Sequence, residues 1–438
     1  MSNIELALWS FPILLFLIFV RIPIGLAMLV CGLGGAWMVY GNYMPILNQL
    51  KQVTYSTFSN YSLSVIPLFL LMGQFAALGG LSQALFKAAE AWIGHRKGGV
   101  AMAAVGACAG FGAICGSSLA TAATMGQVAL PELKRAGYAG GISTACLAAG
   151  GTLGILIPPS VVLVIYAILT EQNIAKLFLA AFVPGLLAAI GYMIVIAIYA
   201  RLKPQEMGSM PPMPMKERLV ATAKVWPVLV IFLAVVGGIY TGIFTPTEGA
   251  AVGAFGTGLA AWFSGGLNRK TLLGAILGTA AATGMIYMIV LGAGVYNTFL
   301  ALSQLPQEAA NIVGSWDVNP IMIMVAILVL YVILGCFMDS LSMILLTIPV
   351  FFPIVSVLDF GLSPEELAIW FGILVLIVVE VGLITPPVGM NLFVINSLSK
   401  DTPITHTYKA VMPFVASDLI RTGILLMFPG IVLFVLRL

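Results

Sequence analysis

Long apolar runs follow one another along almost the whole chain, and they constrain the fold more than any other feature of the sequence. Polar turns separate the runs, and most runs approach the roughly 20 residues that an α-helix needs to cross a bilayer. We therefore predict an all-α polytopic membrane protein with two re-entrant hairpins and about ten spans. The predicted spans are residues 6–20, 23–40, 61–79, 140–170, 177–200, 226–243, 248–265, 272–292, 367–398 and 422–436.

The composition excludes a soluble globular protein. Hydrophobic residues make up 61% of the chain and charged residues only 8%, and the mean hydropathy is +1.10. Soluble domains carry about 25% charged residues. The first apolar run has an acidic flank and no small-residue cleavage site, so we expect it to be retained as a span rather than removed as a signal peptide.

Lysine and arginine are distributed unevenly between the two sides of the predicted spans. If the N-terminus lies outside, 16 of the 19 basic residues, Arg421 among them, fall on the cytoplasmic side, and only Lys51, Lys176 and Arg437 fall outside. Cytoplasmic loops of membrane proteins carry such an excess of Lys and Arg. We therefore predict that both termini face the periplasm or the exterior.

Cysteine and histidine give no sign of a catalytic or metal centre. The five cysteines lie in apolar or glycine-rich segments without metal-ligand spacing, which favours buried thiols that pack as small hydrophobes. His95 and His406 fall in predicted cytoplasmic loops, so an intramembrane hydrolase would lack its usual base. No phosphate-binding loop of the Gly-x-x-x-x-Gly-Lys-Ser/Thr form is present. We predict a protein that is not an enzyme, has no organic cofactor and has no nucleic-acid partner.

Five pairs of motifs recur in the same order in the two halves of the chain, which indicates an internal repeat. Each match alone carries little weight, because Gly and Pro are common here, but five matches at offsets of 221–223 and, for the last, 228 residues are not expected by chance. The pairs are Pro23/Pro246, Gly73/Gly294, Ser117/Asp339, Pro131/Pro353 and Gly154-Pro158-Pro159/Gly382-Pro386-Pro387.

Each half contains an odd number of predicted crossings, so the second half must enter the membrane with the opposite sense to the first. Inverted repeats of this kind are typical of secondary transporters. We predict a first repeat at 1–200, with hairpin 99–131 and broken helix 140–170, and a second at 225–438, with hairpin 320–353 and broken helix 367–398. A basic, Pro- and Met-rich linker at 201–224 would lie in the cytoplasm.

Two apolar segments are broken in the same way, "GTLGILIPPS" at 151–160 and "GLITPPVGMN" at 382–391. Consecutive prolines remove backbone donors and prevent a continuous helix. In a bilayer the freed carbonyl and amide groups persist only where protein or a cavity satisfies them. Carbonyls of an unwound turn suit Na⁺, and amides at a half-helix N-terminus suit a carboxylate. The alternative is a pair of proline kinks satisfied by neighbouring helices.

The predicted hairpins carry polar groups at their turns. In the first, Gly116-Ser117-Ser118 lies midway between two basic flanks, which favours a loop that enters the membrane and returns; small residues there could instead serve close helix packing. The second has Met338-Asp339-Ser340 at its turn. An intramembrane carboxylate is a functional candidate because burying it costs at least about 2.5 kcal/mol.

The motifs "CGSSLATAATMG", "GGTLGILIPPS", "FTPTEGAA", "GCFMDS", "IPVFFPI" and "GLITPPVGMNLFV" occur in this order, and in this combination the chain closely resembles the DctM-type large membrane subunit of tripartite ATP-independent periplasmic (TRAP) transporters. The resemblance covers essentially the whole chain. It implies a Na⁺-coupled importer of an organic acid in the bacterial inner membrane, working by an elevator movement. It also implies two partners, a small membrane subunit with four spans and a periplasmic substrate-binding protein; because nothing precedes Met1, we expect the small subunit to be a separate chain.

The resemblance also implies two Na⁺ sites, one at each break. The breaks are equivalent under the repeat, and Thr385 adds a hydroxyl while Ile157 and Val388 can offer only main-chain carbonyls. The first implied site comprises Ser117, Gly154, Ile157 and Pro159, and the second comprises Gly335, Gly382, Thr385 and Val388. Ser118, Ser160 and Asp339 are our candidates on the substrate side.

Two other functions remain open from the sequence. A free-standing Na⁺/carboxylate symporter of the divalent-anion type shares this architecture without needing partners, and a channel or membrane scaffold would explain the hydrophobicity but not the paired breaks. Glu380, two residues before Gly382, is either a proton or cation site or a carboxylate that pairs structurally, and Glu248 is interpreted as a helix N-terminal charge.

Overall fold

The computed structural model describes residues 2–315 and 318–437, and their regular secondary structure is helical. In the first half, caps of the expected kind begin several helices; Asn42 and Asn173, for example, accept hydrogen bonds from the first turns of α3 and α10. The helices are α1 Asn3–Phe19, α2 Ile24–Tyr40, α3 Tyr43–Phe58, α4 Val65–Leu78, α5 Leu81–Ile93, α6 Gly99–Cys115, α7 Ser118–Arg135, α8 Gly140–Leu156, α9 Val161–Leu169 and α10 Ile174–Leu202.

A short helix, α11 Met215–Ala223, lies in the predicted linker, and the second half follows it. A π-helical turn at Leu233–Gly237 joins the first two helices of this half. The helices are α12 Trp226–Phe232, α13 Gly238–Tyr240, α14 Pro246–Phe263, α15 Arg269–Leu302, α16 Leu305–Ser315, α17 Pro320–Gly335, α18 Ser340–Ser356, α19 Pro364–Leu383, α20 Met390–Leu398, α21 Ile404–Met427 and α22 Pro429–Leu433.

The two halves have the same order of elements, which is consistent with the repeat. The pair α12/α13 corresponds to α1, α14 to α2, α15 to α3 and α4 together, and α16 to α5. Hairpin α17/α18 then corresponds to α6/α7, broken helix α19/α20 to α8/α9, and α21 to α10. The inverted orientation of the halves and the division at 201–224 stay predictions.

The helix lengths are compatible with about ten spans. By length and composition, six of the described helices are long and apolar enough to cross a bilayer, or seven if α8 and α9, bent by 45°, form one span. The other three predicted spans correspond to α1 and α2, with 17 residues each, and α14, with 18. These lengths lie at the lower end of the range of about 17–25 residues for membrane helices.

The predicted last span, 422–436, is wrong. The structure has one helix, α21, over Ile404–Met427, and Arg421 lies inside it with 6% of its surface exposed. Arg421 is therefore no longer counted at the cytoplasmic surface, which leaves 15 of the other 18 basic residues on that side. The charge asymmetry that predicts the orientation is preserved.

Other bounds differ by a few residues, and helices α3, α5, α11 and α16 lie outside the predicted spans and hairpins. Hairpin α6/α7 extends to Arg135 and α17/α18 to Ser356, because Pro131 and Pro353 are accommodated within their helices. The second broken helix begins at Pro364, where Ser363 and Glu366 form a capping box. Helix α3 falls between predicted spans; its polar side chains break up the hydropathy signal.

The helices pack into two groups. In the first, α2 packs on α15 and its counterpart α14 packs on α4, with α1 against α2. In the second, α8 lies at the centre and contacts α6, α7, α10, α20 and α21, and α19 contacts α17, α18 and α21. Helix α19 is almost completely buried, and so its side chains form much of the core of the second group.

Contacts between loops agree with the predicted sides of the membrane. Lys134 and Asp401, both predicted cytoplasmic, form an ion pair of 2.7 Å. Lys176 pairs with Glu365 at 2.6 Å, and Arg437 pairs with the adjacent Glu366, which joins three loop segments that are all predicted on the outer side. Residues predicted on the same side therefore meet, although absolute orientation rests on the charge asymmetry alone.

This topology predicts opposite accessibility at two positions. A single cysteine introduced at Ser209, in the linker, and another at Glu308, in α16, should react with a membrane-impermeant maleimide from opposite sides of the membrane in oriented vesicles. The linker faces the side with the basic excess. Labelling of both positions from one face would contradict the inverted repeat.

Candidate ion and substrate site

The tip of the first hairpin is built from Gly116 and Ser117. Gly116 ends α6 with a φ of +66°, a conformation that glycine adopts without strain. Ser117 then caps α7, its hydroxyl accepting from the amide of Ala120 at 3.4 Å. The hairpin therefore turns inside the helical layer, and the N-terminus of α7 is presented at the tip.

The first hairpin lies directly against α8 through two glycines. A Cβ added to Gly112 would lie 2.6 Å from the Cα of Gly154, so the backbones of α6 and α8 touch at this point. A Cβ on Gly154 would lie 2.7 Å from the carbonyl oxygen of Ser117 and 2.4 Å from the hydroxyl oxygen of Thr121. The structure thus brings Ser117 and Gly154 of the first predicted Na⁺ site together.

The other two residues of the first site form the break itself. Ile157 ends α8 in an extended conformation, and the Pro159 carbonyl lies 3.0 Å from where a Cβ on Gly116 would stand. Unwound backbone is therefore placed against the hairpin tip. All four predicted residues of the first site, Ser117, Gly154, Ile157 and Pro159, belong to this one region.

The second hairpin meets its broken helix in the same way. A Cβ on Gly382 would lie 2.5 Å from the Cα of Gly335 and 3.1 Å from its carbonyl oxygen. Gly335 stands 223 residues after Gly112, and Gly382 is the repeat counterpart of Gly154. A glycine-to-glycine contact between hairpin and broken helix therefore occurs once in each half.

The second break presents carbonyl oxygens and one hydroxyl. The Thr385 hydroxyl donates to the carbonyl of Val381 at 2.6 Å and keeps its lone pairs as acceptors. A Cβ on Gly389 would lie 3.2 Å from the carbonyl oxygens of both Leu383 and Thr385, so these oxygens converge. The carbonyl of Val388 instead faces the Tyr408 hydroxyl, 3.5 Å away.

A cavity of about 190 Å³ separates the two hairpin tips from α4 and α15. It is smaller than the roughly 300–1,000 Å³ of most ligand pockets. The wall formed by the hairpin tips carries the polar side chains of the lining beside apolar ones such as Leu119 and Leu341, and we call it the polar wall; the opposite wall is apolar. The polar lining includes Ser117, Ser118, Asp339 and Ser340, and the apolar lining includes Leu70, Ala282, Met285 and Ile286.

Of the three predicted substrate-side residues, Ser118 and Asp339 line this cavity and Ser160 does not. The Asp339 carboxylate caps α18, accepting from the amide of Ser342 at 3.1 Å, the role that Ser117 has in the first hairpin. Ser160 is completely buried and caps α9 through the amide of Leu163, and the cavity is lined instead by Val161 and Val162.

Glu380 lies directly behind the two tips. Its side chain is buried, and Oε1 accepts a hydrogen bond of 2.8 Å from the Ser340 hydroxyl. The Ser118 hydroxyl lies next to the same carboxylate, but among the described residues neither it nor Oε2 has a hydrogen-bond partner. One acidic side chain is therefore in contact with both hairpin tips.

Sequence reasoning missed Thr121 and a buried ion pair. Thr121 has a buried hydroxyl without a hydrogen-bond partner at the contact with Gly154. In the sequence, the one sign of this role is that Thr121 stands three residues after Ser118, which places both on the same face of α7. Asp418 and Arg421 form a buried ion pair of 3.0 Å within α21. The Tyr192 hydroxyl donates to Asp418 at 2.6 Å and also contacts Thr152 on α8, so α8, α10 and α21 are linked by polar groups.

Glu248 and the five cysteines agree with their sequence interpretation. Glu248 forms a capping box with Thr245 at the start of α14, which confirms it as a helix N-terminal charge. All five cysteines are buried and free. Within residues 2–315 and 318–437, no group of three or more His, Cys, Asp or Glu side chains could hold a metal ion.

Comparison with known proteins gives matches over nearly the whole chain. The family model described as "Tripartite ATP-independent periplasmic transporter, DctM component" matches residues 11–431. The chain is 37% identical over 404 residues to the C4-dicarboxylate TRAP transporter large permease protein of Pseudomonas aeruginosa, covering 91% of this chain and 92% of that one. It is 30% identical over 440 residues to the ectoine TRAP transporter large permease protein of Halomonas elongata, covering 99% and 97%.

A solved structure also resembles the fold. The YdaH transporter of Alcanivorax borkumensis superposes with a TM-score of 0.62 at 16% sequence identity, covering 88% of this chain and 89% of that one. At this identity the match supports a shared fold and nothing about the substrate.

Proposed function

The chain belongs to the DctM family, the large permease component of tripartite ATP-independent periplasmic transporters, and on that premise we propose that it imports an organic acid, coupled to Na⁺, by an elevator movement. Membership makes it a multi-pass inner-membrane protein and part of a binding-protein-dependent secondary transporter, with a small membrane subunit and a periplasmic binding protein as partners. Coupling to Na⁺, an organic acid as the substrate and the elevator movement are the parts that we propose.

The observation that carries Na⁺ coupling is the repeated contact between a hairpin and a broken helix. At each contact two glycines allow the backbones to touch, and carbonyl oxygens of an unwound turn lie beside them. Thr121 at the first contact and Thr385 at the second each add a hydroxyl oxygen. Such oxygen sets, with little formal charge, suit an alkali cation better than a transition metal.

An anionic substrate is supported by a helix end at the cavity. The N-terminus of α7, capped by the neutral Ser117, opens on it with a partial positive charge and free amide groups, whereas the Asp339 carboxylate occupies the N-terminus of α18. No lysine or arginine lines the cavity among the described residues, so the N-terminus of α7 would supply the positive potential. The relatives named above transport C4-dicarboxylate and ectoine, and we favour an organic acid because the dicarboxylate permease has the higher identity.

The elevator movement is supported by where the cavity lies. Its apolar wall belongs to the first group of helices, and its polar wall belongs to the hairpins of the second group. If the second group slides against the first, it carries the hairpin tips, both breaks and the cavity's polar wall together. The first group then stays fixed in the membrane as the surface against which the movement occurs.

Reconstitution distinguishes this proposal from a free-standing symporter. Liposomes containing this chain and the small subunit should accumulate a labelled C4-dicarboxylate only when a Na⁺ gradient is imposed and the loaded binding protein is present outside. Uptake by the chain alone would favour the symporter. Uptake that continues unchanged with K⁺ replacing Na⁺ would contradict Na⁺ coupling.

Thr385→Val tests the second ion site. Valine keeps the shape and volume of threonine but exchanges the hydroxyl for a methyl group, so the fold should persist while Na⁺ affinity falls. Losing one oxygen ligand is expected to cost about 1–3 kcal/mol, or roughly 5- to 150-fold in the Na⁺ concentration for half-maximal uptake. Activity should return at high Na⁺.

Thr257→Val is the matched control. Like Thr385, Thr257 donates to the carbonyl four residues earlier, that of Gly253 at 2.9 Å, but its hydroxyl is buried in α14, which belongs to the first group of helices. We expect its Na⁺ dependence to equal that of the unmodified chain. If Thr385→Val, well folded, also keeps that dependence, the hydroxyl does not hold the ion.

A further inference from the structure

A basic cleft lies between α5 and α11, away from the ion and substrate site. It has a volume of about 410 Å³ and is lined by Ala84 and Lys87 of α5 and by Lys216, Glu217, Val220, Ala221 and Lys224 on or beside α11. Lys216, Val220 and Lys224 follow at intervals of four residues, so they share one face of the helix. Lys87 faces them from α5.

The three lysines carry charge that the protein does not neutralise. In the described part of the chain no carboxylate lies within ion-pair distance of Lys87, Lys216 or Lys224, whereas Lys134, Lys176 and Lys203 each have such a partner. Glu217 is the one acidic side chain of the lining, and Glu90 is buried behind Lys87 on α5. The cleft therefore keeps an excess of positive charge and fits an anion.

The surroundings of the cleft place it at the level of lipid headgroups. Helix α11 continues towards α12 as part of a 26-residue apolar segment, several residues longer than the roughly 20 that cross the hydrocarbon core, so its first turns extend beyond that core. Trp92 and Trp226 are exposed beside it, as tryptophans at membrane interfaces commonly are. Trp92 also fixes α11 to α5, since its Nε1 donates to the Thr222 hydroxyl at 2.8 Å.

We propose that this cleft binds the headgroup of an anionic phospholipid at the predicted cytoplasmic surface. The three ammonium groups would surround the phosphate, and the exposed apolar side chains of Trp226 and Leu229, further along the segment towards the hydrocarbon core, would lie along the acyl chains. The lipid would hold the linker helix α11 against α5. In the chain, α5 connects α4 of the first group of helices to α6 of the second. This inference is independent of the transported ion and of the substrate.

Competition between lipids tests the site directly. The purified complex of this chain with its small subunit is incubated with phosphatidylglycerol or phosphatidylcholine of equal chain length, and bound lipid is counted by native mass spectrometry. Each lysine near an anionic headgroup contributes about fivefold in affinity. Phosphatidylglycerol should therefore bind preferentially, and Lys87→Gln/Lys216→Gln/Lys224→Gln should weaken it on the order of 100-fold, with about fivefold for Lys224→Gln alone.

Lys270→Gln/Lys400→Gln is the control, because both lysines are exposed on the same predicted side but lie outside the cleft. It should keep the preference for phosphatidylglycerol. The triple Lys→Arg variant should keep it as well, which separates lost charge from lost folding.

Three results would overturn the proposal. One is unchanged phosphatidylglycerol binding in the triple Gln variant. Another is displacement of the lipid by millimolar inorganic phosphate, which would indicate a site for a free anion. The third is loss of the small subunit from the triple Gln variant while lipid binding persists, which would assign the cleft to that subunit.

Discussion

Replacing Asp418 by alanine is expected to destabilise the folded chain by about 3–5 kcal/mol, because it leaves the Arg421 guanidinium buried without a counter-charge. Asp418 and Arg421 are 1% and 6% exposed, and their Oδ1 and Nη2 atoms lie 3.0 Å apart. The Tyr192 hydroxyl loses its acceptor in the same variant. A loss of this size is a large fraction of the roughly 5–15 kcal/mol by which typical proteins are stable.

The measurement is the unfolding temperature of the purified protein in detergent, together with its elution as a single species on size exclusion. Asp401→Ala is the matched control, since Asp401 also pairs with a basic residue but both side chains are largely exposed, at 81% and 77%. Lys134 lowers the pKa of Asp401 through their hydrogen bond, yet an exposed pair contributes little to stability because water screens it. We expect Asp401→Ala to unfold within a few degrees of the unmodified chain.

A double variant separates a lost ion pair from lost packing. Asp418→Leu/Arg421→Met removes both charges and fills the space with apolar atoms, which is often neutral or stabilising for buried pairs. It should recover most of the stability that Asp418→Ala loses. If Asp418→Ala is as stable as the unmodified chain, neither the ion pair within α21 nor the hydrogen bond from Tyr192 of α10 to Asp418 contributes measurably to stability.

The hairpins and the breaks were predictable because their signals are local. Proline pairs interrupt helices wherever they occur, and Gly116-Ser117 combines a residue that tolerates positive φ with a strong helix cap. Polar residues flanked by charges on both sides indicated that the first hairpin returns to its side of entry. These features depend on a few neighbouring residues, and the sequence displays them directly.

The misplaced last span has a different physical cause. Asp418 and Arg421 stand three residues apart, so on a helix they face one another and neutralise each other's charge. A hydropathy argument counts them as two separate charges and moves the predicted span beyond them. The burial of such a pair becomes evident only once α10 and α8 are seen to cover it with Tyr192 and Thr152.

The contacts of Glu380 were also beyond local reasoning. Its position two residues before Gly382 was visible, but its partner Ser340 lies 40 residues away and Ser118 lies in the other half of the chain. Only the tertiary fold brings Glu380, on α19, next to the tips of both hairpins. Glu380 therefore contacts both hairpin tips, and both interpretations of it, a coupling site and a structural carboxylate, have to account for that contact.

Replacing Gly382 by alanine is expected to have the largest effect of any single methyl group in the ion site. The added Cβ would lie 2.5 Å from the Cα and 2.6 Å from the carbonyl carbon of Gly335, distances at which backbone atoms must move. Overpacking against backbone should cost about 3 kcal/mol, the upper end of the usual range, because no flexible side chain can yield. Hairpin α17/α18 would then move away from the second break.

That displacement should appear first in Na⁺ coupling, because the carbonyl oxygens of the break and of Gly335 no longer converge. We expect the Na⁺ concentration for half-maximal uptake to rise about 150-fold, the factor that corresponds to about 3 kcal/mol. Gly154→Ala should behave alike, since its Cβ would meet the Ser117 carbonyl at 2.7 Å in the equivalent contact of the first half.

Gly274→Ala is the control: it lies in α15 with no atom within 4 Å of its added Cβ, so alanine should be neutral or stabilise the helix by up to about 1 kcal/mol. If Gly382→Ala and Gly274→Ala gave the same Na⁺ dependence in well-folded protein, the contact between the hairpin and the broken helix would not form part of the ion site.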